Sequence, residues 1–189
     1  MSSRPFVVVD RDGTINVEHP GGYVLEPDDF VLLPRSLEGL RRLRVLRVPI
    51  AVVTNQSPIG RGWIDAGRLE EIHARMRSLL PEIELAGVYV CPHAPEDGCA
   101  CRKPGTELLL RAAADIGSDP SAGFLVGDKR SDIEAGRRAG MTTILVRTGY
   151  GERALRDGAE ADHVVEDLRA AADLIATLLP AAAIDEAAR

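Results

Sequence analysis

Residues 7–14 read Val7-Val8-Val9-Asp10-Arg11-Asp12-Gly13-Thr14. Three β-branched residues behind Phe6 and ahead of an Asp have the pattern of a short strand buried on both faces that runs into a loop with two carboxylates. Ligands of open α/β sheets gather at the carboxyl ends of strands, so Asp10 and Asp12 are delivered to the place where a site forms. Gly13 and Thr14 are small, and they are expected to let the backbone turn with amides left facing an anion. Asp and Gly are also common where a strand simply turns. The flanking sequence separates the two readings.

Around this strand, β-branched runs alternate with amphipathic stretches. Residues 15–34 are loop-like, punctuated by Pro20, Gly21, Gly22, Pro27 and Pro34. Leu37, Leu40, Leu43 and Leu46 recur at helical spacing among arginines, which predicts a helix over 36–47 capped by Ser36. Residues 50–54 form a second strand. Asp65 opens a helix whose Leu69, Ile72, Met76 and Leu79 share a face, with Pro81 just past its end. Strands follow at 88–90, 124–126, 143–146 and 163–165. Helices are expected at 106–116 and 131–139, ended by Gly117 and Gly140, and at about 167–178, before an alanine-rich tail over 181–189 that should fray. This rhythm predicts an α/β fold of three layers, a parallel sheet with helices on both faces. No internal repeat or linker interrupts it, so residues 1–180 are expected to form one domain.

The chain has 189 residues, enough to bury a substantial core. Hydrophobic content of 45% and charged content of 28% are those of a soluble globular protein, and with 4% aromatics the core must be mostly Val, Leu, Ile and Ala. A net charge of −6 argues against nucleic acid as a partner, since phosphate backbones need a basic face. No apolar run reaches the roughly eighteen residues of a membrane span, and Met1 to Pro5 lack the apolar stretch of a signal peptide. The expectation is a cytoplasmic monomer without a membrane partner.

Three more strand ends carry chemistry. The second strand stops at Thr54-Asn55-Gln56-Ser57, a set of donors for phosphate oxygens; the strand at 124–126 stops at Gly127-Asp128-Lys129, with Asp132 following; Arg102-Lys103 lies near a helix start. A carboxylate pair plus a third Asp makes a hard oxygen site suited to Mg²⁺. Mg²⁺ and Lys103 would neutralise a phosphoryl group while Thr54 holds one of its oxygens. Asp10 could then attack phosphorus, and Asp12 could protonate the leaving alkoxide and later deprotonate water. Taken singly, Thr54-Asn55 could cap a turn, Asp128 a helix, and Lys103 could be a solvated lysine. Their joint occurrence at strand ends argues against coincidence.

All three cysteines fall between Cys91 and Cys101, an odd number that suits a metal site better than a disulfide framework. Cys91, His93, Cys99 and Cys101 supply three thiolates and an imidazole, the ligand count of a closed tetrahedral zinc site. With every position filled by protein, Zn²⁺ would be structural, fixing the loop that carries Arg102 and Lys103.

The set resembles the haloacid dehalogenase superfamily of phosphotransferases. Asp10 to Thr14 is similar to its first motif, Thr54 to its second, Lys103 to its third, and Asp128 with Asp132 to its fourth. The resemblance spans residues 6–150. It implies a Rossmann-like fold, Asp10 as nucleophile, Asp12 as acid/base, and Mg²⁺ held by the Asp10 and Asp128 carboxylates and the Asp12 carbonyl. Neither the stretch after Asp12 nor that after Thr54 is long enough for a separate cap domain, which would leave the site open.

The cysteine cluster resembles a subgroup that contains heptose 1,7-bisphosphate 7-phosphatases and histidinol-phosphate phosphatases. Asp10 to Asn16 with Gly22-Tyr23-Val24, Thr54 to Ser57 with Ile59 to Gly62, Gly127-Asp128-Lys129, and Leu145 to Gly149 look more like the heptose branch. By that resemblance Glu18, His19 and Tyr23 form a substrate loop, Arg102 helps recognise substrate and Lys129 sits at the rim. The charges leave both substrates open: Glu18, Glu26, Asp28 and Asp29 suit cationic histidinol phosphate, whereas Arg61, Arg102 and Lys129 suit a second phosphate on a sugar. The balance favours the sugar. His73 and His163 read as structural or solvated, and Trp63 as a loop anchor or a pocket wall. A receiver-like domain with a phosphorylatable Asp and a zinc-dependent nucleic-acid module are the readings from other classes.

Overall fold

The computed structural model describes residues 3–19 and 22–179. Its elements are β1 (Phe6–Val9), α1 (Ser36–Val45), β2 (Ile50–Asn55), α2 (Ser57–Gly60), α3 (Ala66–Leu79), β3 (Leu85–Cys91), α4 (Glu107–Ile116), β4 (Gly123–Gly127), α5 (Arg130–Ala139), β5 (Thr142–Val146), α6 (Gly151–Arg156), β6 (His163–Val165) and α7 (Leu168–Leu178). The strands form one parallel sheet in the order β3-β2-β1-β4-β5-β6. The order reverses direction beside β1, and such a switch point opens a crevice beyond the carboxyl ends of β1 and β4.

β1 has no exposed face, which explains its unbroken apolar run. Successive side chains alternate across the sheet. Val7, Val9, Val52 and Val126 face a core with Leu40 and Leu43 of α1, Ile72 and Met76 of α3, and Ile175 of α7. Phe6, Val8, Ala51 and Leu125 face the opposite core with Leu109 and Ala112 of α4 and Ala135 of α5. The expected three-layer α/β arrangement is therefore present, with β1 at its centre.

Several boundaries differ from those expected. Ser36 is inside the first turn of α1 and donates to the Leu33 carbonyl (2.9 Å), while Arg35 occupies the cap in a left-handed conformation (φ 64°). β3 begins three residues earlier than its own β-branched run, because an edge strand extends as far as its partner pairs with it, here from Ile50 opposite Leu85. The short α2 and α6 carry too few periodic positions to announce themselves. Asp65 and Asp167 do cap α3 and α7, accepting from Arg68 N (2.7 Å) and Ala170 N (2.8 Å). Residues 181–189, Pro20 and Gly21 lie outside the described residues.

α1 packs closely on α7 because Gly39 has no side chain: a Cβ there would stand 2.6 Å from the Leu168 carbonyl oxygen. Backbone cannot yield as a flexible side chain can. Gly39→Ala should lower stability by about 1–3 kcal/mol, read as a lower urea midpoint with an unchanged m value.

Candidate active site

Asp10 follows β1 and its amide donates to Val126 O of β4 (2.9 Å), which sets the loop over the crevice. Asp10, Asp12, Thr54, Asn55, Lys103, Lys129, Ser131 and Asp132 line one small cavity of about 30 Å³. Lys103 Nζ is 2.7 Å from Asp10 Oδ1, 2.7 Å from Asp132 Oδ1 and 2.8 Å from Val53 O. Burial alone would lower the Lys103 pKa, but Asp10 and Asp132 raise it, so the ammonium stays charged. At Asp10 burial prevails: it raises the pKa more than Lys103 lowers it.

Asp10, Asp128 and Asp132 place ligand oxygens within 4.8 Å of one another, all three buried. Among the described residues Asp128 Oδ1 has no hydrogen-bond partner, while Oδ2 accepts from Tyr150 N (2.7 Å). Burial, with Asp10 and Asp132 nearby, raises the Asp128 pKa well above the carboxylate range despite Lys129. A Cβ on Gly13 or Gly149 would fall 2.1 or 2.2 Å from Asp128 Oδ2, so glycine is required on both sides of this carboxylate. Crowded carboxylates with an orphaned oxygen fit a divalent hard cation.

Asp12 lines the same cavity but has partners of its own. Its Oδ1 accepts from Arg11 Nη2 (3.0 Å) and Asn16 Nδ2 (2.9 Å), and its Oδ2 from Gln56 Nε2 (2.8 Å). Burial would raise its pKa, but the Arg11 guanidinium and these hydrogen bonds hold it below the usual value. Two carboxylates two residues apart thus have opposite environments.

Some expected contacts are placed differently. Gln56 is fully buried, and its Nε2 donates to Asp12 and to Thr54 Oγ1 (2.8 Å). Asn55 lines the cavity but clamps the backbone of Lys103, donating to its carbonyl and accepting from its amide, both at 3.1 Å. The Gly13 and Thr14 amides are not free for an anion; they donate to Asn16 O (2.8 Å) and Arg11 O (3.3 Å), closing the turn.

On the rim, Tyr23 Oη lies 2.8 Å from Ser57 Oγ and its ring meets Trp63 edge-on at 5.7 Å. Arg61 lies over the Trp63 ring and 3.5 Å from Glu96. Trp63 is therefore an anchor between the segment that follows α2 and the loop before α1. Lys129 Nζ reaches Glu18 (3.1 Å) and lies over the Tyr150 ring (5.1 Å). Burial raises the Glu18 pKa even against the pull of Lys129. Arg102 donates to His93 O (3.2 Å), and neither Arg102 nor His19 lines the cavity.

Cys91, His93, Cys99 and Cys101 converge at the end of β3 and in the loop beyond it. Their sulfurs are 3.3 to 3.6 Å apart, and His93 Nδ1 is 3.2 Å from Cys101 Sγ and 3.7 Å from Cys91 Sγ. Four soft donors at these separations, without a disulfide, match the edges of a tetrahedron around zinc.

The motif reading gave no role to Ser131, which lines the cavity, to Arg11 and Asn16, which bind Asp12, or to His73, which binds Arg11. Alternation along β1 could have placed Arg11 on the buried side, but its partner His73 is 62 positions away.

Comparison with known proteins places these features in a family. A family model described as HAD-hydrolase-like matches residues 100–171. The D-glycero-beta-D-manno-heptose-1,7-bisphosphate 7-phosphatase of Pseudomonas aeruginosa is 39% identical over 176 residues, covering 92% of this chain and 98% of that protein. The chain belongs to the heptose bisphosphate phosphatase branch of the haloacid dehalogenase superfamily. The protein of the same name from Escherichia coli K12 is 39% identical over 157 residues, 78% of this chain and 81% of its own. The D,D-heptose 1,7-bisphosphate phosphatase of B. bronchiseptica, solved with magnesium and phosphate, superposes with a TM-score of 0.87 at 34% identity, covering 93% of this chain and 99% of that one. The chain is accordingly a phosphoric monoester hydrolase with the Rossmann-like fold of this branch. Among the described residues no helix is long and apolar enough to cross a membrane.

His73 offers a pH test of the packing beside Asp12. Burial, with Arg11, lowers its pKa to about 4 from 6.5; Arg77 acts in the same sense, Glu70 and Asp12 against it. The unfolded chain takes up this proton first, so the contribution is complete above pH 6.5 and is lost as pH falls towards 4. Urea unfolding across that window should show wild-type stability dropping, by up to roughly 3 kcal/mol from this group, and His73→Gln should flatten the slope.

Proposed function

We propose that this protein removes the 7-phosphate of D-glycero-beta-D-manno-heptose 1,7-bisphosphate through an aspartyl-phosphate on Asp10, with Mg²⁺ in the catalytic cleft and a structural Zn²⁺. The observation that carries the chemistry is the buried set of Asp10, Asp128 and Asp132 joined to Lys103. The relatives named for this substrate carry the choice of sugar.

Asp10 and Asp128, with the Asp12 carbonyl, are the groups to hold Mg²⁺, and Asp132 lies close enough to support them. When bound, the ion supplies charge neutralisation at the phosphoryl oxygens. Lys103 and Thr54 hold the remaining oxygens, which is the positioning that phosphoryl transfer requires. Asp10 then forms a bond to phosphorus as the sugar oxygen leaves. Asp12 gives that oxygen a proton and afterwards takes one from the water that cleaves the acyl phosphate.

The rim supports a bisphosphate over histidinol phosphate. Glu18 is neutralised by Lys129, and Glu26 lies 3.1 Å from Arg68, so the acidic loop offers a cation less than its sequence suggests. Arg61, beside Glu96, and Arg102, on the His93 carbonyl, are the cations for a second phosphate, with Tyr23, Ser57, His19 and Lys129 around the sugar.

Phosphate release with Mg²⁺ should favour the beta bisphosphate over histidinol phosphate by about 100-fold in kcat/KM, with the alpha anomer between them. Asp10→Asn should lose at least ~10³-fold. Preference for histidinol phosphate would overturn the substrate assignment.

Zinc is tested separately. Metal analysis should find one Zn²⁺ per chain, and Cys99→Ser should lower both kcat and the melting temperature, the latter by roughly 5 °C or more. Full activity in a zinc-free protein would refute a structural ion.

A further inference from the structure

No motif assigns a task to Arg11, yet it heads the fully buried side chains by volume. A guanidinium out of water is costly unless it is paired. Among the described residues, its hydrogen bonds go to two groups. Nη2 lies 3.0 and 2.9 Å from Oδ1 and Oδ2 of Asp12, and Nη1 lies 3.2 Å from His73 Nε2. Nε has no partner among the described residues, and Cζ stands 5.9 Å from the centre of the Phe30 ring. A methionine could pack on Phe30 without any desolvation penalty. What the charge adds is therefore directed at Asp12.

The His73 contact fixes the other end. Arginine only donates, so Nε2 must accept and the neutral ring carries its proton on Nδ1. His73 lies on the buried face of α3 with Ile72 and Met76. Its ring ties the guanidinium to the core, and the guanidinium in turn spans both oxygens of Asp12. Asn16 and Gln56 complete the cradle.

We propose that His73 and Arg11 are positioning residues for general acid–base catalysis: His73 orients Arg11, and Arg11 fixes the Asp12 carboxyl where it meets the leaving oxygen. This rests on the role given to Asp12 above. In the first step the bond from Asp10 to phosphorus forms, the bond from phosphorus to the sugar oxygen breaks, and the Asp12 proton goes to that oxygen. In the second, water oxygen bonds to phosphorus, the acyl-phosphate P–O bond breaks, and the water proton returns to Asp12. Misplacing Asp12 penalises esters whose leaving oxygen needs a proton and spares those that leave as stable anions.

The test compares kcat/KM for the heptose 7-phosphate, an alkyl ester, with that for p-nitrophenyl phosphate, whose phenolate leaves unprotonated. With the magnesium- and zinc-loaded protein, His73→Leu and Arg11→Met should lower the alkyl value at least ~10-fold more than the aryl value. His73→Gln, which keeps an acceptor for Nη1, should restore the alkyl value to within ~3-fold of wild type. Asp12→Asn is the control and should show the largest difference between esters. If Asp12→Asn lowers both esters equally, the role of Asp12 fails, and the proposal with it. If Asp12→Asn discriminates but the other variants lower both esters equally, or Gln rescues no better than Leu, the positioning role alone is overturned. His73→Met replaces His73→Leu if the latter does not fold by thermal melting.

Discussion

The Lys103 ammonium is the contact on which the cleft depends. Asp10, Asp128 and Asp132 gather at the ends of β1 and β4, and three carboxylates that close repel one another in a poorly screened interior. Lys103 enters between Asp10 and Asp132 from a segment far away in sequence, and its third hydrogen bond is to the β2 carbonyl of Val53. One side chain thereby ties β1, β2 and α5 to the loop that follows the cysteines. Remove the charge, and the burial that raises the Asp10 pKa would lose its largest opponent.

Such a lysine must arrive on a rigid backbone, since a flexible stem loses entropy when fixed. Two restraints supply the rigidity. Asn55, the last residue of β2, holds both backbone groups of Lys103. Cys101 stands two residues before Lys103, and the turn between them and α4 is so tight that a Cβ on Gly105 would lie 2.0 Å from Ala100 O. Metal held by the four soft donors would anchor that turn at its start, which explains how a cluster with no part in the chemistry serves the site.

How much of this could be read from the sequence follows from the range of each interaction. Strands were legible because burial on both faces leaves an unbroken apolar signature, as in Val7-Val8-Val9. The acids were legible because strand ends in such sheets point to one crevice. The cysteine cluster was legible because its ligands are local. The contacts of Gln56 and Asn55 were not legible, because their partners at Asp12 and Lys103 are brought close only in the folded chain. Arg11 and His73 lie 62 positions apart, and nothing in either neighbourhood announces the pairing. Ser36 shows the same limit on a smaller scale: a good capping residue stands one position inside the helix because the turn from Leu33 sets the entry.

The deepest consequence concerns how one short loop supports two kinds of carboxyl. Asp10 and Asp12 have the same chemistry and nearly the same depth, so burial cannot distinguish them. The cations do. Asp10 meets an ammonium shared with Asp132, which leaves it partly uncompensated and next to other acids. Asp12 has the Arg11 fork and two amide donors to itself, which fix its direction and hold its pKa below the usual value. Partners, not depth, therefore distinguish the two acids: a shared ammonium on one, a dedicated guanidinium on the other. The Asp-Arg-Asp order achieves the division within three residues, because the alternating backbone sends the middle side chain into the core, where its charge turns back to the second acid.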